Sequence, residues 1–234
     1  MQQQKNNNKK FFLGITVAVV LPLSFYIVAK VKRMDHIDMP RYYNAETINS
    51  KVADGKTIYD TSYHKVKDIQ LINQSGDKVW LNKDLPGKSL LVNVFFSRCG
   101  SVCPRLTSNL TILQKAFKKN DTTVQLLSIS VDPAYDTVSV LYDYGQRFGA
   151  NPDHWWFLGG DREQIYDYVR NELKILIRPT DGGAEQQDHS QTLVLLDKDR
   201  YIRGYYDGLD TAELKRCADD IGLLAMEKKR QKKK

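Results

Sequence analysis

The chain has 234 residues, of which 41% are hydrophobic and 27% are charged, a composition typical of a globular protein and not of a disordered one. Its formal net charge is +7, but the basic residues are concentrated in the first 33 residues and the last eight, which leaves the body between them net negative. A nucleic-acid-binding domain carries its basic residues on the folded face, so this distribution argues against a nucleic-acid partner. Three cysteines are too few for a fold held together by disulfides.

The two ends of the chain differ from its body. Residues 1–10 form a short polar tail, and the uncharged segment Phe11–Ala29 follows it. As a helix this segment spans about 28 Å, close to the thickness of a bilayer core, which predicts a single transmembrane anchor. A cleaved signal peptide is the alternative, but no small-residue cleavage site stands out after the segment. We therefore predict an uncleaved anchor in a bacterial inner membrane with the body on the periplasmic side. Residues 30–58 predict a linker, and residues 227–234 predict a solvated basic tail.

Residues 59–226 alternate between two patterns. Short continuous apolar runs are typical of strands buried on both faces, and apolar residues three and four apart are typical of helices. The predicted strands are Lys67–Ile72, Lys78–Leu81, Leu90–Phe96, Val124–Val131, His154–Leu158, Thr192–Leu196 and Tyr201–Tyr206, and the predicted helices are Leu106–Phe117, Thr137–Phe148, Arg162–Leu173 and Thr211–Leu224. This order predicts an α/β domain with a central mixed sheet flanked by helices, which is compatible with a thioredoxin-like fold.

The residues that indicate chemistry follow the first long apolar strand. Cys99 and Cys103 lie in the run FFSRCGSVCP, after the strand and before a helix. Unpaired backbone N–H groups at a helix N-terminus stabilise a thiolate, the form that attacks disulfides and binds metals. If residues 99–103 are helical, both side chains project from one face, which suits either a disulfide or a shared soft metal ion. The spacing of the two cysteines leaves these alternatives open.

A histidine provides a third candidate ligand. His189 lies immediately before the strand Thr192–Leu196, at a junction that can meet the cysteine loop at one end of the sheet. Two thiolates and one imidazole suit copper, because thiolate selects Cu(I) and imidazole accepts either oxidation state. Taken alone, His189 is better explained as a bystander in a surface loop.

Three segments together resemble the SCO/SenC family. They are FFSRCGSVCP, SISVDPAYDT over residues 128–137 and DHSQTLVLLD over residues 188–197, in that order. The resemblance implies a thioredoxin-like fold, a membrane tether, and copper bound as Cu(I) or Cu(II) by Cys99, Cys103 and His189. It further implies a role in maturing the binuclear copper centre of cytochrome c oxidase, whose copper-binding subunit, or another copper or thiol acceptor, would be the partner. Asp132 would shape the loop around the ligands. Gly100 stands where the family commonly has proline.

Two other functions use the same cysteines. In a thiol–disulfide oxidoreductase, Cys99 would attack a substrate disulfide and Cys103 would resolve the mixed disulfide. The chain lacks the W-C-x-x-C motif of thioredoxins, and no proline directly precedes the Thr192 strand. A peroxidase of the peroxiredoxin type would leave Cys103 without a role. Copper delivery requires no substrate turnover, so we expect a binding protein and not an enzyme.

The remaining candidates have structural interpretations. Cys217 shares a helical stripe with apolar residues, which predicts a core position. His64 and His154 have no partner nearby in sequence and are predicted to be structural. Asp136 precedes Thr137 and is predicted to cap the helix that follows. The remaining copper-compatible residues, Met34, His36 and Met39, are attributed to chance composition.

Overall fold

The computed structural model describes residues 17–28, 43–53, 56–116, 123–177 and 190–231, in two compact units that divide after Asp38. In the first unit, residues 17–28 form a helix, α1, whose side chains are all exposed. None of the described helices is long and apolar enough to cross a membrane. The predicted anchor Phe11–Ala29 extends beyond α1 into residues outside the described ranges, so it stays a prediction.

The second unit, residues 39–234, begins with a β-hairpin. Strands β1 (Ala45–Ala53) and β2 (Lys56–Tyr63) pair antiparallel as a separate two-stranded sheet. Within the linker predicted over residues 30–58, residues 45–53 and 56–58 therefore belong to paired strands. Where their burial is described, the side chains of both strands are almost all exposed, so the hairpin buries no face. The sequence consequently lacks the apolar alternation by which strands are predicted.

A mixed sheet of seven described strands forms the centre of this unit, in the order β4-β3-β7-β6-β5-β8-β9. Strand β5 pairs in parallel with β6, and β6 in parallel with β7, while the other neighbours are antiparallel. Every residue of β5 and β6 is buried, which explains their continuous apolar runs. The strands are β3 (Gln70–Asn73), β4 (Lys78–Trp80), β5 (Ser89–Phe95), β6 (Val124–Ser130), β7 (Trp155–Gly159), β8 (Thr192–Leu196) and β9 (Ile202–Asp207). The predicted mixed sheet is confirmed.

The helices that flank the sheet are α2 (Val102–Ala116), α3 (Val138–Arg147), α4 (Arg162–Asp167) and α5 (Thr211–Gln231). The predicted helix Arg162–Leu173 is instead α4 followed by a π-helical turn, Tyr168–Glu172. Helix α5 continues seven residues past its predicted end at Leu224, into the segment predicted as a solvated tail. Lysine, arginine and glutamine are good helix formers, so the sequence of this segment favours the continuation of α5.

The direction of the strands determines what lies at each end of the sheet. We define the cysteine end as the end at which β5, β6, β7 and β9 terminate, because Cys99 directly follows β5. Helix α5 starts there, after β9, and runs back along it: Arg216 Nη2 donates to the Tyr205 carbonyl at 3.0 Å. The other end of α5 therefore lies toward the opposite end of the sheet.

One hydrophobic core holds the second unit together. All the buried apolar side chains that the structure describes lie between Val66 and Leu224. Cys217 is fully buried in this core, as predicted. Because this core lies within the second unit, we expect residues 39–234 to fold on their own.

Candidate metal centre

The two cysteines lie together at the cysteine end of the sheet. Cys99 sits in the turn after β5, where its N–H donates to the Phe96 carbonyl at 3.2 Å, and Cys103 lies in the first turn of α2. The Cys103 N–H donates to Cys99 Sγ at 3.2 Å. Both side chains are buried, and neither forms a disulfide. Sequence predicted the start of α2 at Leu106, but the helix starts at Val102, so Cys103 is a helical residue.

Burial governs the chemistry of Cys103. Its thiol is 2% exposed, and burial raises the pKa of Cys103 far above the ordinary value. The neighbouring Cys99 raises the same pKa further. A metal ion that binds Cys103 must therefore displace a proton from it.

Asp136 fastens the cysteine loop to strand β6. Its carboxylate accepts hydrogen bonds from the Ser97 N–H at 3.1 Å and from the hydroxyls of Ser97 and Ser130. Burial raises the pKa of Asp136, although these hydrogen bonds oppose the shift. The prediction that Asp136 caps α3 is wrong, because Thr137 occupies the N-cap position without a side-chain cap and the Asp136 carboxylate turns toward the cysteine loop.

A second contact joins the same two loops. Arg98 Nη2 donates to Asp132 Oδ2 at 2.6 Å, and its guanidinium lies 4.3 Å from the centre of the Tyr135 ring. Asp132 therefore holds the residue that precedes Cys99. Sequence analysis missed Ser97 and Arg98. Their position beside Cys99 was the available signal, but their partners lie more than thirty residues away in sequence.

Helix α3 closes the back of the site. Thr107 Oγ1 donates to the Cys103 carbonyl at 2.8 Å and lies 3.2 Å from the Tyr144 hydroxyl. Burial raises the pKa of Tyr144, so this hydroxyl stays protonated. A cleft of about 290 Å³ opens beside the cysteine loop and is lined by Ser97, Arg98, Tyr135, Val140, Asp143, Tyr144 and Arg147.

The third predicted ligand, His189, lies outside the described residues. Among the residues that the structure does describe, no three His, Cys, Asp or Glu side chains are placed to hold a metal ion. The donor set that is present, two adjacent buried thiols, fits a soft ion such as Cu(I). It provides two ligands.

His64 does not join this site. His64 is buried between two carboxylates, with Nδ1 2.8 Å from Glu46 Oε1 and Nε2 3.1 Å from Glu172 Oε2. This environment agrees with the structural role predicted for His64. The copper-compatible residues 34, 36 and 39 lie in a part of the chain that the structure does not describe.

A family model and a similar protein of known family both indicate the same family for this chain. The family model described as SCO1/SenC matches residues 59–222. The SCO1 protein homolog of Bacillus subtilis (strain 168) is 27% identical over 168 residues, which cover 71% of this chain and 86% of that protein. The predicted resemblance to this family is confirmed.

Two solved structures extend the comparison. BsSco, described as having a disulfide switch and as a member of the Sco family of cytochrome c oxidase assembly proteins, has 26% identity and a TM-score of 0.62, with 70% of this chain and 94% of that chain covered. Bradyrhizobium japonicum ScoI, determined with copper bound, has 25% identity and a TM-score of 0.57, with 68% and 99% covered. The predicted thioredoxin-like α/β fold is confirmed by this likeness.

Proposed function

This chain belongs to the SCO1/SenC family, and from that premise we propose that it is a copper metallochaperone for cytochrome c oxidase. It delivers copper to the binuclear copper site of the oxidase, or prepares the thiols of that site. The observation that carries the proposal is the pair of buried cysteines not joined by a disulfide, Cys99 just before α2 and Cys103 in its first turn, with the Cys103 N–H donating to Cys99 Sγ at 3.2 Å. Copper here is cargo, so no substrate turnover is required.

Cys99 and Cys103 supply the two soft ligands. Thiolates select Cu(I), and their burial keeps the site dry and slows the oxidation of both sulfurs. The hydrogen bonds from Ser97 to Asp136 and from Arg98 to Asp132 hold the loop that carries Cys99. This loop is anchored at two points, so both sulfurs are held ready for the metal before it binds.

His189 supplies the third ligand in this proposal. The antiparallel register between β5 and β8 pairs Leu90 with Leu196 and Val92 with Val194. Strand β8 therefore begins at the end of the sheet where β5 terminates, which is the cysteine end. Ser190, the covalent neighbour of His189, lies two residues before the first residue of that strand, and this short connection supports the assignment of His189.

Release to the acceptor follows from the number of ligands. A site with three ligands has an open side, through which an acceptor thiolate can bind copper before the first ligand leaves. The acceptor in this proposal is the copper-binding subunit of cytochrome c oxidase. The segment Phe11–Ala29 anchors the chain in the inner membrane and holds the domain on the periplasmic side, where that acceptor is reached.

A second function rests on the same pair. The proximity of Cys99 and Cys103 also suits a membrane-anchored thiol–disulfide oxidoreductase, and BsSco is described as having a disulfide switch. Reduction of an acceptor's cysteines would leave Cys99 and Cys103 joined by a disulfide. That reaction has no requirement for His189, whereas copper binding by three ligands does.

An anaerobic Cu(I) titration of the reduced full chain in detergent separates the two functions. We expect one tight equivalent that weakens at least about tenfold in Cys99→Ser, Cys103→Ser and His189→Ala. Matched controls are Cys217→Ser and His154→Ala, which should bind copper as the unmodified chain does. Tight binding that is indifferent to His189 would contradict the three-ligand site and favour disulfide exchange.

A further inference from the structure

The last side chains of the C-terminal helix that the structure describes as buried are Ile221 and Leu224, and Met226 is already 51% exposed. The backbone stays helical to Gln231. We call residues 227–234 the basic extension, since six of its eight residues are lysine or arginine and one is acidic.

The net charge of the basic extension is opposite in sign to the net charge of the body that carries it. The body of the chain is net negative, so an anionic surface repels the domain as a whole and attracts the extension. Such attraction acts only within a Debye length of about 8–10 Å at physiological salt. The contact must therefore be made by the extension itself.

The position of the extension in the fold determines which end of the domain a contact with an anionic surface would hold close to that surface. Helix α5 starts at the cysteine end of the sheet and runs away from it, as the contact of Arg216 with Tyr205 requires. Its 21 residues span about 31 Å at the helical rise. The described end of α5 at Gln231 and the cysteine pair therefore lie at opposite ends of the domain.

From these observations we infer that the basic extension binds anionic phospholipid headgroups and thereby holds the cysteine end of the domain away from the bilayer. A membrane surface is favoured over a protein partner, because a run of lysines and arginines is attracted by a high density of negative charge and does not require a surface of a particular shape. Each basic residue near an anionic lipid surface strengthens binding about fivefold. The inference is independent of copper, because none of the residues involved belongs to the metal centre.

Vesicle sedimentation of the compact unit, residues 39–234, tests the inference without the predicted anchor. We expect binding to vesicles of phosphatidylglycerol and phosphatidylcholine that weakens with added salt, and none to phosphatidylcholine alone. Replacing three charges of the extension, as Lys228→Gln, Lys229→Gln and Arg230→Gln together, should weaken binding at least about tenfold. The matched control is Lys83→Gln, Lys115→Gln and Lys215→Gln, which removes the same charge from exposed positions elsewhere and should change binding less than about twofold.

Three outcomes would overturn the inference. These are absence of binding to the anionic vesicles, equal loss in the extension and control variants, and binding to polyglutamate in place of vesicles. The last would assign the extension to an acidic protein surface. Cys99→Ser should leave vesicle binding unchanged, which keeps this test separate from the copper proposal. In the full chain, hydrogen exchange at residues 225–231 should be slower in anionic than in neutral nanodiscs, and equal rates would contradict the inference.

Discussion

The Cys103 thiol is 2% exposed, and burial raises its pKa above the ordinary value for cysteine. At neutral pH the metal-free protein therefore carries a proton on Cys103, which Cu(I) must displace. We expect the apparent Cu(I) affinity to rise with pH by at least about tenfold per unit between pH 6 and 8, since each displaced proton contributes one factor of ten. Competition with a chromophoric Cu(I) chelator measures this slope, and a flat profile would contradict a protonated Cys103.

We expect the loss of the contact between Arg98 and Asp132 to lower the copper affinity with little change in the free energy of unfolding. Asp132→Asn removes the charge that Arg98 Nη2 contacts at 2.6 Å. Because the Arg98 side chain is 37% exposed, we expect a loss of at most about 1 kcal/mol in the free energy of unfolding. The loop that carries Cys99 loses one of its two anchors, so copper affinity should fall about tenfold. Thermal melts and copper titration measure the two effects.

The matched control for this variant is Asp153→Asn, an exposed carboxyl outside the site. It should change neither the melting temperature nor the copper affinity. Equal affinity of Asp132→Asn and the unmodified chain would show that the Asp136 contacts alone position Cys99.

At the scale of elements, one buried arginine joins the β8–β9 turn to the segment that leads into β5. Arg200 donates to five oxygens, so each of its five N–H groups has an acceptor: Asn82 Oδ1 and the carbonyls of Leu81, Leu85, Lys88 and Asp197. Burial lowers the pKa of Arg200. Residues 81–88 form turns without a strand or helix, so this guanidinium supplies hydrogen bonds that regular structure would otherwise provide.

Arg200→Lys should therefore be strongly destabilising although it keeps the charge. Lysine has three donors and no planar fork, so at least two buried acceptors lose their partners. We expect a loss of about 3 kcal/mol and a melting temperature lower by about 6–12 °C. Arg105→Lys, at an exposed position of α2, is the control and should melt within about 2 °C of the unmodified chain. A melt of Arg200→Lys that matches this control would contradict the role assigned to Arg200.

Sequence predicts those elements whose burial imposes a pattern. Strands β5 and β6 are buried at every residue, and their apolar runs predict them to within two residues. The side chains of the hairpin β1–β2 whose burial is described are almost all exposed, so burial imposes no pattern on them. The π-helical turn after α4 shares the apolar spacing of an α-helix over so short a stretch, and the sequence does not separate the two.

The candidate site divides in the same way. Cys99 and Cys103 are predicted because their residue type and position carry the chemistry. The contacts of Ser97 and Arg98 form between two loops that follow adjacent parallel strands, β5 and β6, and depend on the register of that pair. Local sequence contains no information on that register. Because the register was unknown, the sequence predicted a helix cap for Asp136, the commonest role of an aspartate at such a position.

At the scale of the whole molecule, the hairpin β1–β2 is joined to the domain by contacts near its base. The Tyr43 and Tyr205 rings meet edge to face with centroids 5.5 Å apart, and Asn44 Nδ2 donates to the Tyr205 hydroxyl at 2.9 Å. His64 adds a contact with Glu46. These contacts lie outside the hydrophobic core, so the hairpin contributes stability without being required for the fold.

Two truncations test this division of the molecule. Residues 39–234 retain every described residue of the core, so we expect a melting temperature within about 2 °C of the full chain and one equivalent of copper. Residues 64–234 lose the hairpin contacts, worth about 1–2 kcal/mol, and should melt about 2–8 °C lower with the same copper stoichiometry. Differential scanning calorimetry and copper titration of both fragments measure these effects. Loss of cooperative unfolding in the shorter fragment would show that the hairpin is part of the folding unit. Loss of copper binding in that fragment would show that the metal centre depends on the hairpin, although the described contacts of the hairpin lie away from the two cysteines.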